Sequence, residues 1–257
     1  PKGRGRKLHS PPVADAARDL GIDLLQPEQL HADETLAAIA AAEPEALVVC
    51  AYGALVKEPL LSDYEILNVH PSLLPRWRGA APVERAIMAG DAETGMSIMR
   101  LTAGLDSGPV CLQERTPIGP DDDYASLAAR METLGGDLLV RALDERPPFV
   151  EQDEAGVTYA EKIEAADRTL DPARTAAENE RVVRALRPHI GARVALPGGE
   201  FLGVVRARVA DRPDRDGALH AEDGRVFLGA LELLEVQPPG KRAMDAAAWL
   251  RGRPSFG

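Results

Sequence analysis

The sequence predicts an α/β layer with parallel strands, followed by a small barrel-like β-domain. Three observations carry that reading. Short apolar runs at 46–50 and 65–69 alternate with segments of helical period, the pattern of strands covered by helices. Beyond Gly191 the period falls to two, in "RVALPGGEFLGVVRARV" and "GRVFLGALELLEVQPPG", with Gly and Pro turns between them. Between the two patterns, 147–172 loses periodicity and fills with Pro, Asp and Glu, the composition of a linker. The expected division is therefore 1–150, a linker at 151–174, and a second domain at 175–257.

The elements follow in order. Residues 1–9 read as a basic Gly-rich loop. A helix starts at Ser10 or Pro11, passes through Val13, Ala17 and Leu20, and stops at Gly21. A second helix spans 32–42, and strands follow at 46–50 and 65–69. Pro82 opens a further helix, and 95–101 and 108–115 read as strands joined through "TAGLDSG". Asp121–Asp123 can cap a long helix whose stripe of Leu127, Met131, Leu134, Leu138 and Ala142 is core packing rather than a site. Residues 175–186 form a short helix, and "MDAAAWLRG" closes the chain with another.

The 257 residues are 45% hydrophobic and 28% charged, which excludes disordered and collagen-like classes. No apolar run is long enough to span a bilayer, and the basic start lacks the apolar stretch of a signal peptide. Cys50 and Cys111 show no metal-ligand spacing, so buried free thiols in a reducing cytoplasm are expected. A net charge of −11 argues against indiscriminate polyanion binding but leaves room for a local basic face. Lys2, Arg4, Arg6 and Lys7 form one such group. Arg181, Arg184 and Arg187 recur every third residue and can share part of one helical face.

The chemistry concentrates in "NVHPSLLPRWRGAAP", residues 68–82. Asn68 and His70 share strand parity and so face the same way. An amide can donate to a carbonyl oxygen gaining charge, and an imidazole can exchange a proton near neutral pH. Asp106, in the turn "GLDSG", is the expected anionic partner, with Gly104 and Gly108 letting the backbone approach a ligand. One His without clustered Cys or carboxylates is no metal site, and no nucleophile elbow is present. Such a group fits direct transfer of a carbonyl group between two bound molecules. The plainer alternative stays open: a His beside Pro71 can cap a turn, and Asp in a Gly-flanked turn needs no function.

The same stretch, with "GRGRKLHSPPV", "AYG", "GDAETG", "GLDSGPV", "VTYAEKI" and "LEVQPPGKRAM", resembles the methionyl-tRNA formyltransferase family, within the wider group dependent on 10-formyltetrahydrofolate. The resemblance covers almost the whole chain. It implies a Rossmann-like formyltransferase domain whose opening strand and helix precede these residues, and a C-terminal OB-like, tRNA-binding β-barrel. It implies transfer of formyl from 10-formyltetrahydrofolate to the amino group of methionyl initiator tRNA in the cytoplasm, by a monomer needing no metal. Asn68, His70 and Asp106 would be catalytic. The folate would lie along Ala51, Tyr52, Gly53, Ser72, Leu73, Met99, Leu101 and Asp106. Lys2, Arg4, Arg6 and Lys7, with Arg181 and Arg184, would meet the tRNA. Sugar-amine formyl transfer, hydrolysis of the same donor and a non-catalytic RNA-binding module are the competing readings.

Overall fold

The computed structural model describes residues 10–213 and 218–253, which fall into two compact units divided between Glu45 and Ala46. The expected contacts of Lys2, Arg4, Arg6 and Lys7 lie outside the described residues. The first unit holds helices α1 (Pro12–Asp19) and α2 (Asp33–Ala41). Pro12 supplies a preset φ at the start of α1. Gly21, at φ 67°, ends it: Ile22 N–H donates to Ala17 O at 2.8 Å and Gly21 N–H to Arg18 O at 3.1 Å.

The second unit begins with β1 (Leu47–Cys50), a single turn α3 (Leu60–Asp63), β2 (Ile66–His70), the two-residue β3 (Arg78–Gly79) and α4 (Pro82–Ala89). There follow β4 (Glu93–Arg100), β5 (Val110–Pro117), α5 (Tyr124–Glu145), β6 (Tyr159–Ala160) and α6 (Ala176–Leu186). The C-terminal part comprises β7 (Ala192–Ala195), β8 (Phe201–Val209), β9 (Leu219–Glu222), β10 (Arg225–Leu228), β11 (Leu231–Gln237), β12 (Met244–Asp245) and α7 (Ala246–Arg251).

The first sheet has the order β1-β2-β4-β5. It was expected to be parallel, and it is mixed: β1 and β2 run parallel, whereas β2–β4 and β4–β5 are antiparallel. The chain reverses at Gly90, φ 77°, directly after the eight-residue α4, and β4 returns beside β2. Apolar runs report burial and not direction, which is why the sequence left this open. β2 is buried throughout. Leu67 and Val69 join Met96 and Ile98 of β4 under Leu127, Met131 and Leu138 of α5, leaving Asn68 and His70 on the opposite face. Leu134 packs at the edge of this cluster, and Gly135 lets α5 come close to the sheet: a Cβ there would lie 2.7 Å from Met96 Cε and 3.2 Å from Val69 Cγ1. Asp123 and Ser126 form a reciprocal capping box at the start of α5, as the acidic run suggested.

The second sheet runs β7-β8-β11-β10-β9, with β12 beside β11. The expected OB-like barrel is instead an open half-barrel, for this path does not return on itself among the described residues. Its apolar face is covered by helices: Val182, Val183 and Leu186 of α6, with Ala246 and Trp249 of α7, pack with Leu202, Val204, Leu231, Leu233 and Val236. A period of two marks a one-sided strand without saying what covers that side. The stretch expected as a linker crossing the first domain lies along it, since β6 pairs in parallel with β3 and Val150 bridges Val110. Cys50 is exposed on the end strand β1, contrary to expectation, and Cys111 is half-buried. Burial pushes the Cys111 thiol up.

Candidate active site

β2 delivers Asn68 and His70 to the C-terminal end of the parallel β1–β2 pair, the usual place for a ligand in an α/β sheet. The turn after β4 brings Asp106 back over them. Asn68 Nδ2 donates to Asp106 Oδ1 at 3.3 Å, and His70 Nδ1 lies 3.7 Å from Asp106 Oδ2. Asp106 Oδ2 also accepts from Gly79 N–H at 2.8 Å. Asn68 and His70 are 8% and 4% exposed, so this group sits against the sheet rather than in solvent.

The ring of His70 is held from its other side. His70 Nε2 meets Trp77 O at 2.9 Å, and a carbonyl only accepts, so Nε2 carries the hydrogen. In the neutral ring Nδ1 then presents its lone pair toward Asp106. Burial holds the imidazole below its ordinary value of 6.5, opposed by the Asp106 charge and the Trp77 carbonyl. Near neutral pH the His70 ring is therefore neutral, with its lone pair at Nδ1.

Two residues facing His70 occupy left-handed backbone conformations without being glycine: Trp77 at φ 63° and Asp106 at φ 44°. Each is held from outside. Gln152 Nε2 donates to Asp106 O at 2.8 Å and to Gly108 O at 2.7 Å, while its Oε1 accepts from Arg78 Nε at 3.0 Å. Trp77 N–H donates to Thr158 Oγ1 at 2.9 Å, and the indole Nε1 donates to Asp91 Oδ2 at 2.8 Å. Sequence reasoning missed Gln152, Thr158 and Asp91. Gln152 sits in the aperiodic stretch, where no pattern marks it; "VTYAEKI" and "GDAETG" flagged Thr158 and Asp91 only as parts of a resemblance.

Each glycine of the turn has a close neighbour where a Cβ would stand. A Cβ on Gly108 would lie 2.0 Å from Arg100 O, and one on Gly104 would lie 2.2 Å from Ser107 Oγ. The residues expected to meet the folate divide by exposure. Ala51, Tyr52 and Gly53 leave β1 as exposed backbone, and Gly53 has open space beyond its Cα. Met99 pairs with Asn68 across the sheet and is fully buried, and Leu101 is half-buried. Ser72 is fully buried, its hydroxyl donating to Arg76 O at 2.6 Å, and Leu73 is half-buried beside Gly95. An exposed backbone edge beside a buried amide suits a flat heterocycle with amide-like edges; Ser72 and Met99 would contribute backbone and packing.

Arg181 and Arg184 bond within the molecule. Arg181 Nε donates to Met88 O at 3.1 Å, and Arg184 reaches Glu180 and Asp122 O, the latter at 2.6 Å. Arg187 pairs with Asp123 at 2.5 Å. The every-third spacing thus supplies an inward-facing edge of α6 that joins it to α4 and the start of α5. Among the described residues no group of His, Cys, Asp and Glu could hold a metal ion. No described helix is long and apolar enough to cross a membrane.

The formyl transferase family model matches residues 1–143, and the model of the formyl transferase C-terminal domain matches 162–254. The methionyl-tRNA formyltransferase of Paracoccus denitrificans is 44% identical over 261 aligned positions, which cover 97% of this chain and 85% of that protein. The chain belongs to the methionyl-tRNA formyltransferase family. Solved structures agree on the fold. The methionyl-tRNA formyltransferase from Clostridium thermocellum superposes with a TM-score of 0.62 at 14% identity, covering 90% of this chain and 92% of that one. HypX from Aquifex aeolicus, in complex with tetrahydrofolic acid, superposes with a TM-score of 0.65 at 20% identity, covering 85% of this chain and 40% of its own.

Proposed function

We propose that this chain transfers formyl from 10-formyltetrahydrofolate to the α-amino group of methionyl initiator tRNA. The observation that carries the reading is the convergence of Asn68, His70 and Asp106 in a chain of this family. The donor supplies an electrophilic formyl carbon bound to nitrogen. Asn68 Nδ2 has a second N–H beyond the one given to Asp106, and this hydrogen stabilises the formyl oxygen as it gains charge. His70, neutral and donating through Nε2, accepts at Nδ1 the proton that the amine loses as its nitrogen bonds to the formyl carbon. Asp106 balances the imidazolium so formed. The proton then passes to the departing donor nitrogen as its bond to carbon breaks.

In this reading Ala51, Tyr52, Gly53, Ser72, Leu73, Met99, Leu101 and Asp106 line the folate site. Lys2, Arg4, Arg6 and Lys7 meet the tRNA, joined by Arg181 and Arg184 through donors not spent within the molecule. The formyl-transfer domain is 1–150, the linker 151–174 and the tRNA-binding domain 175–257, acting as a monomer in the cytoplasm. The test is formyl incorporation into methionyl initiator tRNA, with free methionine and an amino sugar as parallel acceptors. Transfer to the tRNA alone is expected. Transfer to the sugar, or formate release without an acceptor, would replace this reading with a sugar-amine formyltransferase or a hydrolase.

A further inference from the structure

Among the described residues His70 has one close hydrogen-bond partner, the Trp77 carbonyl at 2.9 Å, and Trp77 presents it from a left-handed conformation, φ 63°. A left-handed conformation costs a residue with a Cβ about 1–2 kcal/mol, so something must hold it. Asp91 is placed to do so. It follows Gly90, which ends α4 at φ 77°, and its own N–H donates to Ala86 O at 3.1 Å, so its carboxylate is fixed to the helix end. One oxygen, Oδ2, accepts from the Trp77 indole Nε1 at 2.8 Å and from Arg76 Nε at 2.8 Å, while Oδ1 accepts from Arg76 Nη2 at 2.6 Å. The Arg76 guanidinium lies over the same indole, 4.3 Å from its centroid. Carboxylate, guanidinium and indole therefore close a ring of contacts around one side chain, whose backbone carbonyl points the other way, to His70.

We propose that Asp91 is a positioning residue: through the Trp77 indole it aims the Trp77 carbonyl at His70 Nε2 and so keeps His70 in its Nε2–H tautomer, with the Nδ1 lone pair turned to Asp106. Asp91 touches no reacting atom. It is also not the main support of the loop, because Ser72 holds Arg76 O at 2.6 Å and Thr158 holds Trp77 N–H at 2.9 Å independently. What Asp91 adds is the orientation of one peptide group. In the Nδ1–H tautomer the ring would turn a lone pair to the Trp77 carbonyl at 2.9 Å, a closer clash of acceptors than that between Nδ1 and Asp106 Oδ2 at 3.7 Å, and its hydrogen would occupy the site needed for the incoming proton.

The inference rests on the reading of His70 as proton acceptor, but its test does not depend on turnover. Protein carrying ¹⁵N-labelled histidine would be examined by NMR for the tautomer of His70, its signal assigned by its loss in His70→Asn. Wild-type protein should show Nε2–H. Asp91→Ala should show a clear rise in the Nδ1–H form, with kcat reduced about tenfold and KM for tRNA changed less than about threefold. Asp91→Asn, whose amide oxygen still accepts from the indole, should restore the wild-type tautomer. Trp77→Phe, which keeps a ring under Arg76 and loses the N–H, should behave like Asp91→Ala. An unchanged tautomer in Asp91→Ala would overturn the proposal. Should that variant fail to fold by circular dichroism, an unchanged tautomer in Trp77→Phe would overturn it equally. Absence of formyl transfer by the wild-type protein would refute the functional reading while leaving the tautomer result standing.

Discussion

Asn68 offers two hydrogens on one nitrogen and gives one of them to Asp106, so in the proposed mechanism replacing it alters the reaction and the resting site together. Asn68→Ala should lower kcat about 10²-fold, the usual cost of one oxyanion donor, with a smaller change in KM. Single-turnover transfer under saturating donor and tRNA measures this, and an unchanged rate would remove Asn68 from the mechanism. His70 sets the acid limb. Burial lowers its pKa beneath 6.5, and the proposed proton transfer requires the neutral ring, so kcat/KM should fall as pH drops through a midpoint below 6.5. Asp106 raises that pKa, so in Asp106→Asn the residual activity should show its acid midpoint at still lower pH. A pH–rate profile whose midpoint moved upward in the variant would contradict the assignment.

Strand-and-turn geometry decides how closely the two halves of the site approach. Gly108 lies against the Arg100 carbonyl with no room for a methyl group, and Gly108→Ala must push the Asp106 turn away from β4. Overpacking of this kind costs about 1–3 kcal/mol. Thermal denaturation should show that loss, and kcat should fall more than KM rises; wild-type kcat would mean the turn shifts without moving Asp106. Gln152→Ala leaves the Asp106 and Gly108 carbonyls without their shared donor, and should destabilise by about 1–3 kcal/mol in denaturant titration. How much of this was legible in the sequence follows from what each element obeys. Helices with caps, such as Asp123 before α5, and strands of even parity, such as Asn68 and His70, declare themselves locally. Strand direction, sheet closure and the anchoring of Trp77 are long-range outcomes: Thr158 reaches Trp77 across 81 positions and Gln152 reaches Asp106 across 46. No local pattern encodes such a pairing. Helical spacing likewise could not foresee that Arg184 and Arg187 would turn inward to Asp122 and Asp123.

Across the molecule, the docking of α6 beside α4 and the start of α5 joins the two sheets of the second unit. Asp122 stands at that corner. The Arg130 guanidinium holds its carboxyl well below the usual carboxylate range, helped by the Gly119 N–H and the Ser126 hydroxyl. A depressed folded-state pKa contributes stability that is complete above the unfolded value, about 3.9, and is lost as pH falls through the folded one. Asp122→Asn should therefore be less stable than wild type at pH 7, and the gap should narrow below about pH 4. Urea titrations at the two pH values would show it, and a constant gap would mean that the charge is not the cause. The two family models leave residues 144–161 between them, and this interval holds Gln152 and Thr158. Their position constrains any chimaera made from this gene. A graft that exchanged the C-terminal half at residue 143 would import foreign groups at both anchor points, and would be tested unknowingly as a mutant of the loops that hold Asp106 and Trp77. A junction after Ala160 carries the anchors with the sheet they serve, and a graft made there would leave the loops that hold Asp106 and Trp77 with their own partners.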